Sequence, residues 1–439
     1  MKPSRSVILF YAQLLVIFTL PFPLLASSYA IVILLLVFLY SLIKSASFRQ
    51  QIWSSFLSNK IAQVLVVLFI VYAFSTIIHP IIDSDRTFRF SAIEKRLAFF
   101  ALPFLFANIK AYDNDQILKF FYIYIIVIVS STLVALSSGL YYTISSGSNY
   151  FYDSEKQVLF NNFMYHRLGS YVGMHAVYYA EYVLLAFIMW VSFSYYHFLN
   201  WSIKRRSLAI LLAIYFLGVM FLLKSAAILI ILLVIVALFT VYYLYKAKDV
   251  ISIRMKLLIA VIGIFVVVTL ADRAISKIGS KADFFTYDLS QPGGGEWNGI
   301  NLRLAKWHVA KLAIKDNWVI GVGPGNTTST LDTYYEKVGF TYALQLHYNT
   351  HNQFLQTFLA LGMLGVLILF VLFSIAIWHS LNKKDSVMFL FIISFLLFSI
   401  SESTLTVNKG IVFFSIFLCF FSYLPEKSSY YLNASKHNN

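Results

Sequence analysis

Two histidines stand four residues apart in His347-Tyr348-Asn349-Thr350-His351. On a helix that spacing sets both imidazoles on one face, as in zinc sites, yet no glutamate follows the first histidine and no third ligand is evident. Proton transfer suits His351 better, because a neutral imidazole takes a hydroxyl proton near pH 7. The competing assignment is an interfacial histidine without chemistry. Arg303 has the complementary property: its planar, permanent charge suits a diphosphate and the charge that grows on a phosphate leaving group. An arginine on an amphipathic helix also serves simply as a solvated or snorkelling face.

Charges close to long apolar runs are costly and therefore informative. Lys224 breaks two such runs, Glu181 lies inside one, and Glu402 with Lys409 brackets a short turn. Arg89, Glu94, Lys95 and Arg96 crowd the start of another run, and Arg167 with His175 begins the run two further on. Glu181 reads as a structural partner in a helix bundle, and contact with lipid headgroups explains the arginine clusters as readily as substrate binding. Two patterns suggest chemistry that their surroundings do not support. Gly321-Val322-Gly323-Pro324-Gly325 lacks the Gly-Lys-Ser/Thr ending of a phosphate loop and reads as a tight turn. Asp83-Ser84-Asp85 resembles a divalent-metal pair for nucleotide sugars, but it falls on the side of the membrane where such sugars are absent. Cys419 is the one cysteine, which rules out an internal disulfide and reads as a small apolar residue.

A bilayer must position these groups. Hydrophobic residues form 60% of the 439 and charged residues 12%, against roughly 45–50% and 25% in soluble domains. About 20 apolar residues cross the hydrocarbon, and the unbroken runs exclude the alternating strands of a barrel. The spacing predicts an all-α polytopic membrane protein of about 12 transmembrane helices, at 6–21, 24–43, 61–78, 97–106, 117–141, 171–198, 208–223, 226–245, 255–271, 354–377, 387–400 and 412–423. Lys2 and Arg5 before the first run resemble a signal peptide, but no cleavage site follows, so that run reads as a spanning helix. The net charge of +15 is spread over short turns rather than gathered in a tract, which argues against nucleic acid. With both termini cytoplasmic, Lys44, Arg49, Lys60, Lys110, Lys119, Lys204, Arg205, Arg206, Lys246, Lys248, Arg254, Lys256, Lys383 and Lys384 all fall inside.

Three regions follow: an N-terminal bundle of about nine helices over 1–271, one large extracytoplasmic loop over 272–353, and C-terminal helices with a short tail over 354–439. Only the loop is large enough for a subdomain. It opens with Pro292-Gly293-Gly294-Gly295, continues through an amphipathic helix with Leu302, Ala305, Val309, Leu312 and Ala313 on one face and Arg303, Lys306, Lys311 and Lys315 on others, and ends at His351.

The series Asn301-Leu302-Arg303-Leu304-Ala305-Lys306-Trp307, Ile320–Asn326, His351-Asn352-Gln353-Phe354-Leu355-Gln356 and Leu361-Gly362-Met363-Leu364-Gly365 resembles the region shared by O-antigen ligases and O-antigen polymerases. Weaker likeness extends to Ile93–Leu97, Met174–Tyr179 and Ser401-Glu402-Ser403. The resemblance implies a metal-independent, inverting glycosyltransferase without cofactors in the bacterial inner membrane, with a periplasmic active site. Its partners are an undecaprenyl-diphosphate-linked glycan as donor, lipid A-core or a second glycan as acceptor, and membrane lipids. His351 matches the family's acceptor-activating histidine and Arg303 its diphosphate arginine. Lys224, Arg89, Arg96, Arg167, His175, Asn352 and Glu402 are the further substrate-binding candidates. Ala360 stands where many members have Glu, and Lys224-Ser225 where many have Ser-Arg, so Lys224 replaces a bidentate cation with a point charge. A ligase is expected, with a polymerase as its close alternative and a lipid-linked sugar transporter or flippase as the rival from another class.

Overall fold

The computed structural model describes residues 5–145, 152–153, 158–159, 161–246, 289, 297 and 299–425. The first half contains α1 (Arg5–Thr19), α2 (Leu24–Lys44), α3 (Ala46–Ser58), α4 (Lys60–Ile82), α5 (Phe90–Glu94), α6 (Leu97–Leu105) and α7 (Asn114–Ser145). A two-residue antiparallel pair follows, β1 (Tyr152–Asp153) with β2 (Val158–Leu159). Then come α8 (Tyr165–Ser170), α9 (Ala176–His197), α10 (Ile203–Leu222) and α11 (Ala226–Lys246). The chain ends with α12 (Asn301–Asp316), α13 (Thr327–Lys337), α14 (Thr341–Gln345), α15 (Gln353–Asn382), α16 (Ser386–Ser401) and α17 (Asn408–Tyr423).

The expected all-helical bundle is present, and among the described residues six helices are long and apolar enough to cross a membrane: α2, α4, α7, α9, α10 and α15. Helices α1, α11, α16 and α17 offer shorter apolar stretches. The segment expected to span at 97–106 does not qualify, because the nine residues of α6 rise only about 14 Å. The run expected from 171 becomes helical only at Ala176. The helix expected at 255–271, the loop residues 272–288, Pro292–Gly295 and the tail from 426 lie outside the described residues.

Polar side chains end the helices where the sequence turns. Asn59, Ser202 and Asp385 accept the N–H of Ala62, Arg205 and Met388 in the first turns of α4, α10 and α16. Helix α17 is the axis, buried on every side from Gly410 to Tyr423. Its Phe414 stacks on Phe395 at 4.2 Å and its Phe417 meets Tyr124 at 4.7 Å. Helices α2 and α10 turn most of their apolar surface outward, as lipid-facing helices do.

The turns fall into two groups. At one end Thr87 donates to Asn326, Arg303 bonds Ser401 and Glu402, and Lys409 donates to Phe22. At the other end Gln13 pairs with Asn108, Asn59 with Ser422 and Lys383 with Leu424. Alternating passage of the helices thus gathers 79–96, the α16–α17 turn and the large loop at one end. There α12–α14 enclose a second, small core of Ala305, Val309, Ala310, Ala313, Leu331, Tyr335, Phe340 and Ala343, seated on Val322 and Leu359.

The glycine motif has a backbone explanation. Helix α15 is interrupted at Gly362, where φ is +65° and ψ −159°. The carbonyls of Leu359 and Ala360 accept the N–H groups of Val322 and Gly323 at 2.8 and 3.0 Å, and Met363 donates to Trp318 at 2.9 Å. Backbone freed inside an apolar helix needs such partners. The approach admits no side chain: a Cβ on Gly362 would stand 2.2 Å from the Val319 carbonyl oxygen, and one on Gly321 would stand 2.6 Å from Ala360. Gly362→Ala is therefore expected to destabilise the folded chain by about 2–3 kcal/mol. Fluorescence-detected thermal unfolding in detergent should show a lowered midpoint, and an unchanged midpoint would contradict the packing.

Candidate active site

Four short polar contacts build the platform on which His351 stands. Asn352 caps α15, its Oδ1 accepting Leu355 N–H at 3.0 Å, while the Asn352 N–H donates to Ser403 Oγ at 3.1 Å. Gln356 Oε1 accepts Thr350 N–H at 3.2 Å, and Gln353 Oε1 accepts Leu405 N–H at 2.7 Å. These bonds stitch the end of the large loop to the α16–α17 turn. Between them His351 adopts a left-handed φ of +44°, with its N–H bonded to Asn349 Oδ1 at 2.9 Å. A bulky residue in that region marks strain held by its surroundings, and such strain concentrates at functional sites.

The stitched turn delivers Glu402 between His351 and Arg303. His351 Nδ1 lies 3.1 Å from Glu402 Oε2, and Arg303 Nη2 donates to Glu402 Oε1 at 2.7 Å. Arg303 also donates through Nε to Ser401 O at 3.1 Å and through Nη1 to Gly299 O at 2.7 Å. Glu402 is buried, whereas Arg303 and His351 keep 29% and 28% of their side chains open, so the carboxylate anchors two partners that face outward. Burial pushes the Glu402 carboxyl up, but the hydrogen bond and charge of His351, together with Arg303, outweigh it and hold the group below its ordinary value. With Nδ1 directed at the carboxylate, Nε2 is the nitrogen that faces a reactant, the arrangement used by histidine bases oriented by a carboxylate.

Around this trio lie His175, His166, Tyr165, Tyr348 and Lys306. Burial lowers the pKa of His175, helped by His166 and His351 and opposed by Glu402. Burial also lowers that of His166, whose ring centroid is 4.2 Å from that of His175. Both imidazoles are thereby biased toward the neutral form. Tyr165 has φ +49° and feels the charges of Glu402 and Arg303.

The sequence candidates divide accordingly. His351, Arg303, Glu402, Asn352 and His175 come together. Arg167 is exposed on α8, the helix that also carries Tyr165 and His166, and it donates to Asn162. Arg89 lays its stem on Gly325. Arg96 is buried over the Tyr72 ring at 4.2 Å and donates to Ala92 O at 2.7 Å, contacts that fix α6 to α4. Lys224 heads α11 at φ +47°, and that helix packs on α9 and α16, which lead to His175 and Glu402. His347 and His351 occupy turns with positive φ rather than one helix face, and His347 pairs with Asp332 at 2.7 Å. Asp83 accepts the Asp85 N–H and pairs with Arg86, forming a closed turn. The N–H groups of Gly321, Val322 and Gly323 are all spent on backbone carbonyls, which excludes them as phosphate donors. Lys306, placed by the sequence off the apolar face of the helix, is 2% exposed, with Tyr348 covering the face it occupies. Only its proximity to Arg303 in the sequence hinted at this.

Residues 208–370 match the family model described as O-antigen ligase. They form a domain of the O-antigen ligase family. No curated protein matches the chain. The matched region runs from α10 through the break in α15 and so contains Lys224, Arg303, Lys306 and His351, whereas Glu402 reaches the site from beyond it. With several membrane-length helices and this family match, the chain is a multi-pass membrane protein.

Proposed function

We propose that the chain is an extracytoplasmic glycosyltransferase that moves a glycan from an undecaprenyl-diphosphate carrier to an acceptor hydroxyl, with lipid A-core as the acceptor. The observation that supports this reading is the His351–Glu402–Arg303 arrangement, in which His351 and Arg303 lie within the residues that match the O-antigen ligase family model. His351 Nε2 takes the proton of the acceptor hydroxyl while Glu402 orients the ring and stabilises the imidazolium that forms. The hydroxyl oxygen bonds to the anomeric carbon as the bond from that carbon to the diphosphate oxygen breaks, and a single displacement inverts the configuration. Arg303 spends three N–H groups on protein oxygens and keeps two for the departing diphosphate. Lys224 and Arg89 stand at the same end of the bundle as further cations.

A polymerase of the same family performs the same displacement with a second carrier-linked unit as acceptor. Lipopolysaccharide from a deletion strain separates the two on a silver-stained gel. Bare core with carrier-linked polymer accumulating is the expected profile. Core bearing a single repeat would assign the polymerase role, and a profile restored fully by both His351→Ala and Arg303→Ala would contradict transfer altogether.

A further inference from the structure

Lys306 lies one turn beyond Arg303 on α12, on the same side of the helix. Its ammonium stands 4.4 Å from the centroid of the Tyr348 ring, whose edge-on neighbour at 5.8 Å is His351. Lys306 is 2% exposed, and among the described residues its ammonium makes no hydrogen bond to a protein acceptor. Both Glu402 oxygens are engaged, by Arg303 and His351. An ammonium on so nearly buried a side chain, set against an aromatic ring and beside the Arg303 charge, is costly unless an anion or polar oxygen completes it.

We infer that Lys306 is an anion-binding group of this site, which takes a phosphate oxygen of a diphosphate beside Arg303. The identity of the anion rests on the transfer reading above; the site itself rests on the unmet donors. Lys306 supplies the second phosphate contact that the sequence sought in Lys224 and Arg89. Burial, with Arg303 adding and Glu402 opposing, pushes the ammonium down to about 7. The groups facing it are Arg303 on its own helix, Tyr348 and His351 from the loop before α15, and Glu402 from the α16–α17 turn. Helix α13 brings Asp332, which is paired with His347, and Tyr335, whose hydroxyl donates to Tyr348 O; the first turns of α15 carry no ionisable side chain. An arriving anion favours the charged form, so binding at pH 7 draws up to about half a proton from the buffer.

The test is calorimetry on the full-length protein in phosphatidylcholine nanodiscs, titrated with inorganic pyrophosphate at pH 7 in two buffers of different ionisation enthalpy. Wild type is expected to take up more protons on binding than Lys306→Arg does, since the guanidinium is already charged. Lys306→Met should weaken binding by at least about 10-fold and lose that excess uptake, whereas Lys306→Arg should keep the affinity. Wild type that fails to bind pyrophosphate, or takes up no more protons than Lys306→Arg, overturns the inference, as does Lys306→Met behaving like wild type. Nanodiscs with phosphatidylglycerol distinguish the anion's source: unchanged affinity supports a diphosphate site, and strong competition reassigns it to a lipid headgroup and overturns the diphosphate assignment. Pyrophosphate binding needs no glycan transfer, so the loss of either conclusion leaves the other standing.

Discussion

Replacing His351 by asparagine is expected to slow glycan transfer about 10³-fold. Asparagine tolerates the left-handed backbone at this position, where φ is +44°, so it removes the imidazole without adding strain, which alanine does not. The donor should bind as before, because the diphosphate contacts belong to Arg303 and its neighbours, and the loss should fall on kcat. Initial rates of product formation by equal amounts of folded protein in membranes decide the matter. A rate within tenfold of wild type would remove His351 from the chemistry.

The second large effect belongs to Glu402. Glu402→Gln keeps the shape but removes the charge that opposes Arg303 and stabilises an imidazolium on His351, and about 10²–10³-fold loss of kcat is expected. The same substitution has a signature in acid. Because the native Glu402 carboxyl lies below its ordinary value of 4.5, its contribution to stability is complete above that pH and disappears as pH falls through the lower, native value. Wild type should therefore lose stability on acidification below about pH 4.5, relative to its value at neutrality, by more than Glu402→Gln does. Thermal unfolding of both proteins across that window measures the difference. Parallel curves would mean that Glu402 is not the charged link between the loop and the α16–α17 turn.

The bundle was legible because apolar length is a strong signal in one dimension. Runs such as those of α4, α7 and α15 declare themselves, and the basic turns between them separate the two ends before any contact is known. The large loop was legible as the place to look, and Arg303 and His351 as residues to test there. What escaped depends on contacts between distant segments. The break in α15 hides in an unbroken apolar run, since Gly362 looks like any glycine in a membrane helix until Trp318–Gly323 is laid against it. Glu402 was legible as the edge of a short turn and as a substrate-binding candidate, but not as the link between two other site residues. Its place between Arg303 and His351 requires Ser403 and Leu405 to be stitched to Asn352 and Gln353. The burial of Lys306 escaped because helical periodicity gives faces and not what covers them; the covering residue, Tyr348, is 42 positions away. The spacing of His347 and His351 suggested a shared helix face, whereas positive φ at both turns them to Asp332 and Glu402.

The most direct test of the central claim is transfer by the purified protein in liposomes, supplied with an undecaprenyl-diphosphate-linked glycan and lipid A-core. Wild type is predicted to yield core-linked glycan and free undecaprenyl diphosphate in equal amounts, with His351→Asn reduced about 10³-fold. A wild-type protein that moves the intact donor across the bilayer and leaves its glycosidic bond unbroken would contradict the account.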